Sequence, residues 1–539
     1  KERSLYQGKF ATEYHVSPNG EYLAFSERFK VFVTPFIERG EVIDTGPSAK
    51  NLPVEKLSVR AGEGISWNGK SNQLYWSLGA DLYQASANNL FDYANEDAKA
   101  DDEAEANAKN AEPVKTYLGF EKKADKPSGS VAFVGGKIIT MEGEQVIENG
   151  VVVVNGNKIT ALGEQGKVDI PSGAKVIDIT GKSIMPGIID AHAHATQGSS
   201  EIIPQQNWQN YAGLALGVTA IHDPSNDTST FFAASEMQKS GKIVAPRLFS
   251  TGTILYGATW AGGTAHVDNL DDAKFHIERL IKAGAFSVKS YNQPRRNQRQ
   301  QFIQAAREAK MMVVPEGGSL LQHDLTMLID GHTTLEHSIP TAVIYDDVKQ
   351  LWSQSTMAYT PTMGVAFGGM AGENYWYEKT DVWKHPRLSK YVPSEILDPR
   401  SMRRPKAPHH HYNHINVATV ATELQSLGVT INAGGHGQRE GLGMHWEMWM
   451  MAQGGMTPLQ ALSTATINPA KTLGLDSQIG SLKVGKLADM IVVDGDVTQD
   501  IRLSDKVVYT MVNGRLYNAE TMNEEGNYDN KRDKFYFEK

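Results

Sequence analysis

"GIIDAHAHAT", Gly187 to Thr196, is an apolar strand-like run that ends in two histidines one residue apart. Side chains alternate along a β-strand, so His192 and His194 are expected on one face and Ala191, Ala193 and Ala195 on the other. Two imidazoles converging where a strand stops suit a metal ion, because neutral imidazole is the commonest side-chain ligand and small alanines leave room for groups from neighbouring strands. Histidine pairs in strands also occur as satisfied polar residues, so the pair is decided by its company.

Outward from this stretch, strand and helix patterns alternate. Eight strand candidates follow one another: GIIDAH, TAIHDP, RLFSTG, FSVKSY, MMVVPEGG, TTLEHS, AYTPTM and VTINAGG. Most precede an amphipathic stretch such as "RNQRQQFIQAAREAK", which places Phe302, Ile303 and Ala306 on one face. Eight such alternations predict an α/β architecture, a TIM-like (β/α)8 barrel over 187–472. Residues 364–413, rich in Gly, Tyr, Pro and His, are expected as a long loop over its mouth. "PHHHYNH" (Pro408 to His414) falls there and reads as flexible surface. "TPLQ" marks a helix start with Thr457 as N-cap, and "MHWEMWMM" (Met444 to Met451) reads as a buried amphipathic helix.

In such barrels the catalytic groups gather at the C-terminal ends of the strands. Those ends read His192 and His194, Asp223, Lys289, Glu316, His337 and His436. This concentration of ionisable groups favours a metal centre. Glu336 alternates away from His337 and is expected as a structural contact. Tyr291, Arg295 and Arg296 could hold an anionic substrate group, since guanidinium matches carboxylate bidentately, or form an ordinary basic helix start.

The flanks are all-β. Residues 1–92 hold two similar passages, Ser17 to Phe36 and Ser66 to Ser86, each with an Asn-Gly turn and paired strands, at a spacing close to that of β-propeller blades. Two blades cannot close a ring, so a missing N-terminal fragment or another subunit is expected to complete them. An acidic, Ala-rich linker is expected over 93–128. Residues 129–186 and 473–539 read as two parts of one composite β-sandwich.

The 539 residues exceed one ordinary core, and the net charge of −9 argues against a nucleic-acid partner. No apolar run approaches the roughly 18 residues of a membrane span. With no cysteine in the chain, disulfides, thiolate ligands and a cysteine nucleophile are excluded. Any metal must be held by His, Asp, Glu or a modified Lys.

"IMPGIIDAHAHA", "GVTAIHDPS", "TTLEHS" and "IGSLKVGKLADMIVVDGD" together resemble the amidohydrolase superfamily, over about 130–520. The leading repeats resemble the end of a TolB-type propeller, which precedes such a domain in one subgroup. The resemblance implies a metal-dependent hydrolase, acting on an amide or peptide-like bond of a small molecule or short peptide, from a longer exported precursor. A periplasmic or secreted location and a homo-oligomer are expected with it. It implies that His192 and His194 bind the more buried of two zinc or other divalent ions, that His337 binds the second, and that Lys289 is carboxylated to a bridging carbamate. Two positions depart from the family pattern: Glu316 stands where a ligand histidine is usual, and His436 where an aspartate is. Glu316 could be a terminal ligand or the bridge. His436 could ligate through one nitrogen; the general base is then Asp223, the bridging hydroxide with little side-chain help, or His436 itself where it is unligated. The alternatives are a mononuclear deaminase or imidazolonepropionase-like cyclic-amide hydrolase, and a propeller-linked binding protein that has lost catalysis.

Overall fold

The computed structural model describes residues 2–58, 62–88, 90–91, 113–199, 202–257, 264–293, 295–526 and 528–538. All eight expected barrel strands are present among them. The first seven are Ile188–Asp190, Val218–Asp223, Arg247–Ser250, Ser287–Ser290, Met312–Pro315, Thr334–Glu336 and Ala358–Thr360. The eighth is a single parallel bridge at Ile431 beside Tyr359, and Ala191 N–H donating to Ala433 C=O (3.2 Å) returns it to the first strand. Between the third and fourth strands, Ile254–Tyr256 pairs with both Thr264–His266 and the fourth strand, an elaboration that the alternation did not announce.

The segment expected as a loop over 364–413 is mostly helical. It contains Gly372–Lys379, Leu388–Tyr391 and Ser394–Met402. These helices are too short to show periodicity, and Pro399 lies inside one. Packing holds them: Trp376, Tyr377, Leu388, Tyr391 and Leu397 are all buried. Their support is Leu442–Gln453, expected as a buried amphipathic helix and buried not on one face but on every side from Leu442 to Met451. The Thr457 capping box forms as read, with Gln460 Oε1 accepting the Thr457 N–H at 2.9 Å.

Both chain ends build one eight-stranded sheet, in which Lys182–Pro186 pairs antiparallel with Met490–Asp494. Arg247 of the third barrel strand donates to both oxygens of Asp489 (2.6 and 2.9 Å), tying barrel to sheet. The N-terminal region forms two four-stranded antiparallel sheets that share a core around Val31, Val33, Ile65, Leu74 and Trp76. Of the stretch expected as linker, 93–112 lies outside the described residues. Beyond it, Val114–Tyr117 is instead the fourth strand of the second sheet, paired with Asp81–Ser86. No helix among the described residues is long and apolar enough to cross a membrane.

Candidate metal centre

The first strand ends at Asp190, so His192 and His194 stand just beyond it, their rings 5.2 Å apart and nearly perpendicular. What holds them is the eighth-strand segment "NAGGHG". A Cβ at Gly434 would lie 2.6 Å from His192 Cβ, so only glycine permits this approach. The Asp190 carboxylate accepts the His192 and Gly435 N–H groups (3.1 and 2.9 Å), and His436 N–H donates to His192 C=O at 2.7 Å. His436 is thereby pressed against the pair, its ring centroid 5.1 Å from that of His192 and 4.6 Å from that of His194.

Across the barrel the sixth strand delivers His337, 4.9 Å from His192 between ring centroids. His337 Nε2 lies 2.7 Å from Glu316 Oε1, and Glu316 Oε2 lies 2.5 Å from Lys289 Nζ. Lys289 is almost wholly buried. Burial alone would raise the Glu316 carboxyl, but the Lys289 ammonium and His337 outweigh it and hold the group well below the usual carboxylate range. Burial, with the neighbouring cationic side chains, pushes His192 well below its ordinary value and His436 down to about 3, so both rings are neutral near pH 7.

Two overlapping groups result, His192 with His194 and His436, and His192 with Glu316 and His337. Within each, the prospective ligand atoms all lie within 4.8 Å of one another. His192 Nε2 and His436 Nδ1 are buried without a hydrogen-bond partner, the condition of a nitrogen whose lone pair suits a cation. The donor set of imidazoles and one carboxylate fits zinc or a similar divalent ion. His337 and His436 also adopt left-handed backbone conformations, with φ of 68° and 52°, a cost of about 1–3 kcal/mol each that clusters at functional sites.

Each histidine of the first and sixth strands has a polar side chain at its other nitrogen. His192 Nδ1 is 2.6 Å from Glu336, His337 Nδ1 is 2.7 Å from the Thr362 hydroxyl, and His194 Nδ1 is 3.6 Å from Asp223, longer than a hydrogen bond. Burial raises the Glu336 carboxyl to about 7 and depresses His192, and the two meet across a short hydrogen bond of 2.6 Å.

Three expectations change here. Glu336, read as only a structural contact, orients His192; alternation misled because His337 leaves the β conformation, so consecutive residues both reach the interior. Asp223, a candidate base, is fully buried and already accepts from Ala195 N–H, Ser225 N–H and Asn226 Nδ2 (3.0, 3.0 and 2.8 Å), which makes it a positioning residue beside His194. Arg296 is committed to a bidentate pair with Asp330, and Arg295 is an exposed residue at that helix start. Tyr291 remains beside the site, edge-on to Tyr256 and sensing Glu316. His409–His411 are exposed, whereas His414 is buried against Gln453. Thr362 and Asp190 carried no sequence signal beyond their nearness to strand ends.

The amidohydrolase family profile matches residues 410–517. A 5-methylthioadenosine/S-adenosylhomocysteine deaminase of Symbiobacterium thermophilum is 25% identical over 442 residues, covering 71% of this chain and 92% of that protein. Among solved structures, a Xaa-Pro dipeptidase with bound methionine superposes with a TM-score of 0.56 at 20% identity, over 72% of this chain and 100% of that one. An A. niger ochratoxinase gives 0.55 at 16% identity, over 73% and 96%. The structural neighbours share the TIM-like barrel fold. Together these likenesses support the amidohydrolase superfamily and indicate a hydrolytic enzyme acting on C–N bonds.

Proposed function

We propose that this hydrolytic enzyme of the amidohydrolase superfamily cleaves an amide or peptide-like bond, with a centre of two divalent metal ions, zinc first among them. The observation that carries the reading is the outer partner held at Nδ1 by His192, the Glu336 carboxyl, and by His337, the Thr362 hydroxyl. Such partners fix a ring's orientation and tautomer and leave Nε2 as the ligand atom, the usual arrangement around bound metals. His192, His194 and His436 would hold one ion, and His337 with Glu316 the other. Lys289, as a carbamate, would bridge them; the carbamate forms when the neutral amine adds to carbon dioxide and releases a proton. Ions held there would polarise the substrate carbonyl and make bound water more acidic.

The chain's own groups do the rest. Glu336 keeps the His192 imidazole aimed, and Asp223 lies beside that of His194. Tyr291 offers a phenol to the substrate. The likeness to a Xaa-Pro dipeptidase and an ochratoxinase supports dipeptides and acylated amino acids as the compounds to try first. Two metals per purified chain, lost with activity in the His192→Ala/His194→Ala double variant, are expected. Unchanged metal content in that variant would remove the site assignment.

One observation favours a second reading. The close Lys289–Glu316 pair neutralises both groups, which would leave His192, His194 and His436 as a single-metal site of the kind a deaminase uses, in line with the deaminase relative. One metal per chain and ammonia release from an adenosine analogue would select it.

A further inference from the structure

Phe367 is a large apolar side chain left open beside the metal centre. Phe367 is 37% exposed, although its ring centroid lies 6.1 Å from that of His337, which is only 5% exposed. It does not sit on a loose loop. Its N–H donates to the hydroxyl of Ser338, the residue following His337, at 3.1 Å, and its carbonyl accepts from Asn413 Nδ2. On one side Ala366 is buried, and on the other Gly368 turns the chain with φ of 83°. The backbone at Phe367 is therefore pinned on one side to the residue after His337 and on the other to Asn413, at the start of the helix His414–Ser426.

A benzene ring held rigidly against a polar cluster, with over a third of its surface in water, is a platform awaiting apolar contact. The alternative of anion recognition finds little support here, because Arg296 is paired with Asp330 and Arg295 is exposed at a helix start. We infer that Phe367 is a specificity-determining residue, which packs a bulky apolar or aromatic side chain next to the scissile bond, so that the preferred substrates are amides of large hydrophobic amino acids. This rests on the hydrolase reading above and narrows its substrate class. A pocket contact worth one or a few methylenes discriminates by roughly 10- to 200-fold.

The test compares kcat/KM for N-acetyl-phenylalanine, N-acetyl-leucine and N-acetyl-glycine, and for the matching Phe-, Leu- and Gly-containing dipeptides, in the metal-loaded full chain. Wild type should prefer the Phe and Leu compounds over Gly by about tenfold or more. Phe367→Ala should collapse that ratio, chiefly through KM, with wild-type metal content, and Phe367→Leu should restore part of it. A wild-type ratio near one, or a ratio unchanged in Phe367→Ala at full metal content, overturns this inference while leaving the hydrolase reading intact. Failure of the metal-loaded enzyme to cleave any of the six compounds counts against the hydrolase reading, and this inference falls with it.

Discussion

His436 is one of the two positions that depart from the pattern the resemblance implied, and it is an informative one to replace. Its backbone is held by His192, so an aspartate placed there would meet the same neighbours through a shorter arm. His436→Asp should keep metal content and a measurable rate, whereas His436→Ala should lose metal together with most of the rate, as removal of a ligand does. Equal metal content and equal rates in the two variants would exclude a ligand role. Away from the site, Glu142 accepts from Ser481 and Lys483, which, against some burial, lower its carboxyl from 4.5 to about 2. A depressed pKa stabilises the fold above the ordinary value and loses that contribution as pH falls from about 4.5 towards 2. The side chain is 33% exposed, so solvent limits the effect to about 1 kcal/mol. Glu142→Gln should be less stable than wild type at pH 7 and equal to it near pH 2 by urea unfolding. The ligand candidates themselves were legible, since each ends a strand. Their partners Glu336, Thr362 and Asp190 were not, because backbone turns at positive φ, which no alternation rule anticipates, bring them in.

At the scale of elements, the barrel strands could be read from their apolar runs and the Thr457 helix start from its capping box. The cover over 364–413 could not, since helices of four to nine residues owe their existence to what they lie against. Trp376 shows the dependence: its ring packs 5.2 Å from that of Trp449, under the guanidinium of Arg502 at 4.7 Å. Trp376→Ala should destabilise the protein by about 3–5 kcal/mol. An unchanged denaturation midpoint would mean that this helix packs less firmly than its burial implies.

At the scale of the molecule, the N-terminal sheets are fastened to the barrel by a hairpin tip. Arg28 and Phe29 occupy the turn between Tyr22–Glu27 and Lys30–Pro35 with φ of 50° and 60°, where Asn-Gly is the comfortable choice. Phe29 lies 3.9 Å beneath the guanidinium of Arg279, a buried residue on the barrel helix Leu270–Ala283, with Glu63 at 3.5 Å. Removing the ring leaves the buried cation without its stacked face and with the Glu63 carboxylate 3.5 Å away, whereas removing the cation strands nothing, because Glu63 can reach water. Phe29→Ala should therefore cost about 2 kcal/mol, and Arg279→Met less, in thermal unfolding; the reverse order would refute the fastening. The repeat in the sequence was read as two β-propeller blades, and two four-stranded sheets stand there, but this contact joins residues about 250 positions apart and left no local mark.

The antiparallel pairing of Lys182–Pro186 with Met490–Asp494 also sets a timetable. A ribosome adding about 5–20 residues per second emits the second strand roughly 15–60 s after the first. Through that interval the N-terminal half of the sheet waits with an unpaired edge, while the whole barrel emerges between the partners. Contacts this distant in sequence close late and slowly. The nascent chain thus passes through a stage with a folded or folding barrel and an open strand, the form most exposed to pairing with a stranger.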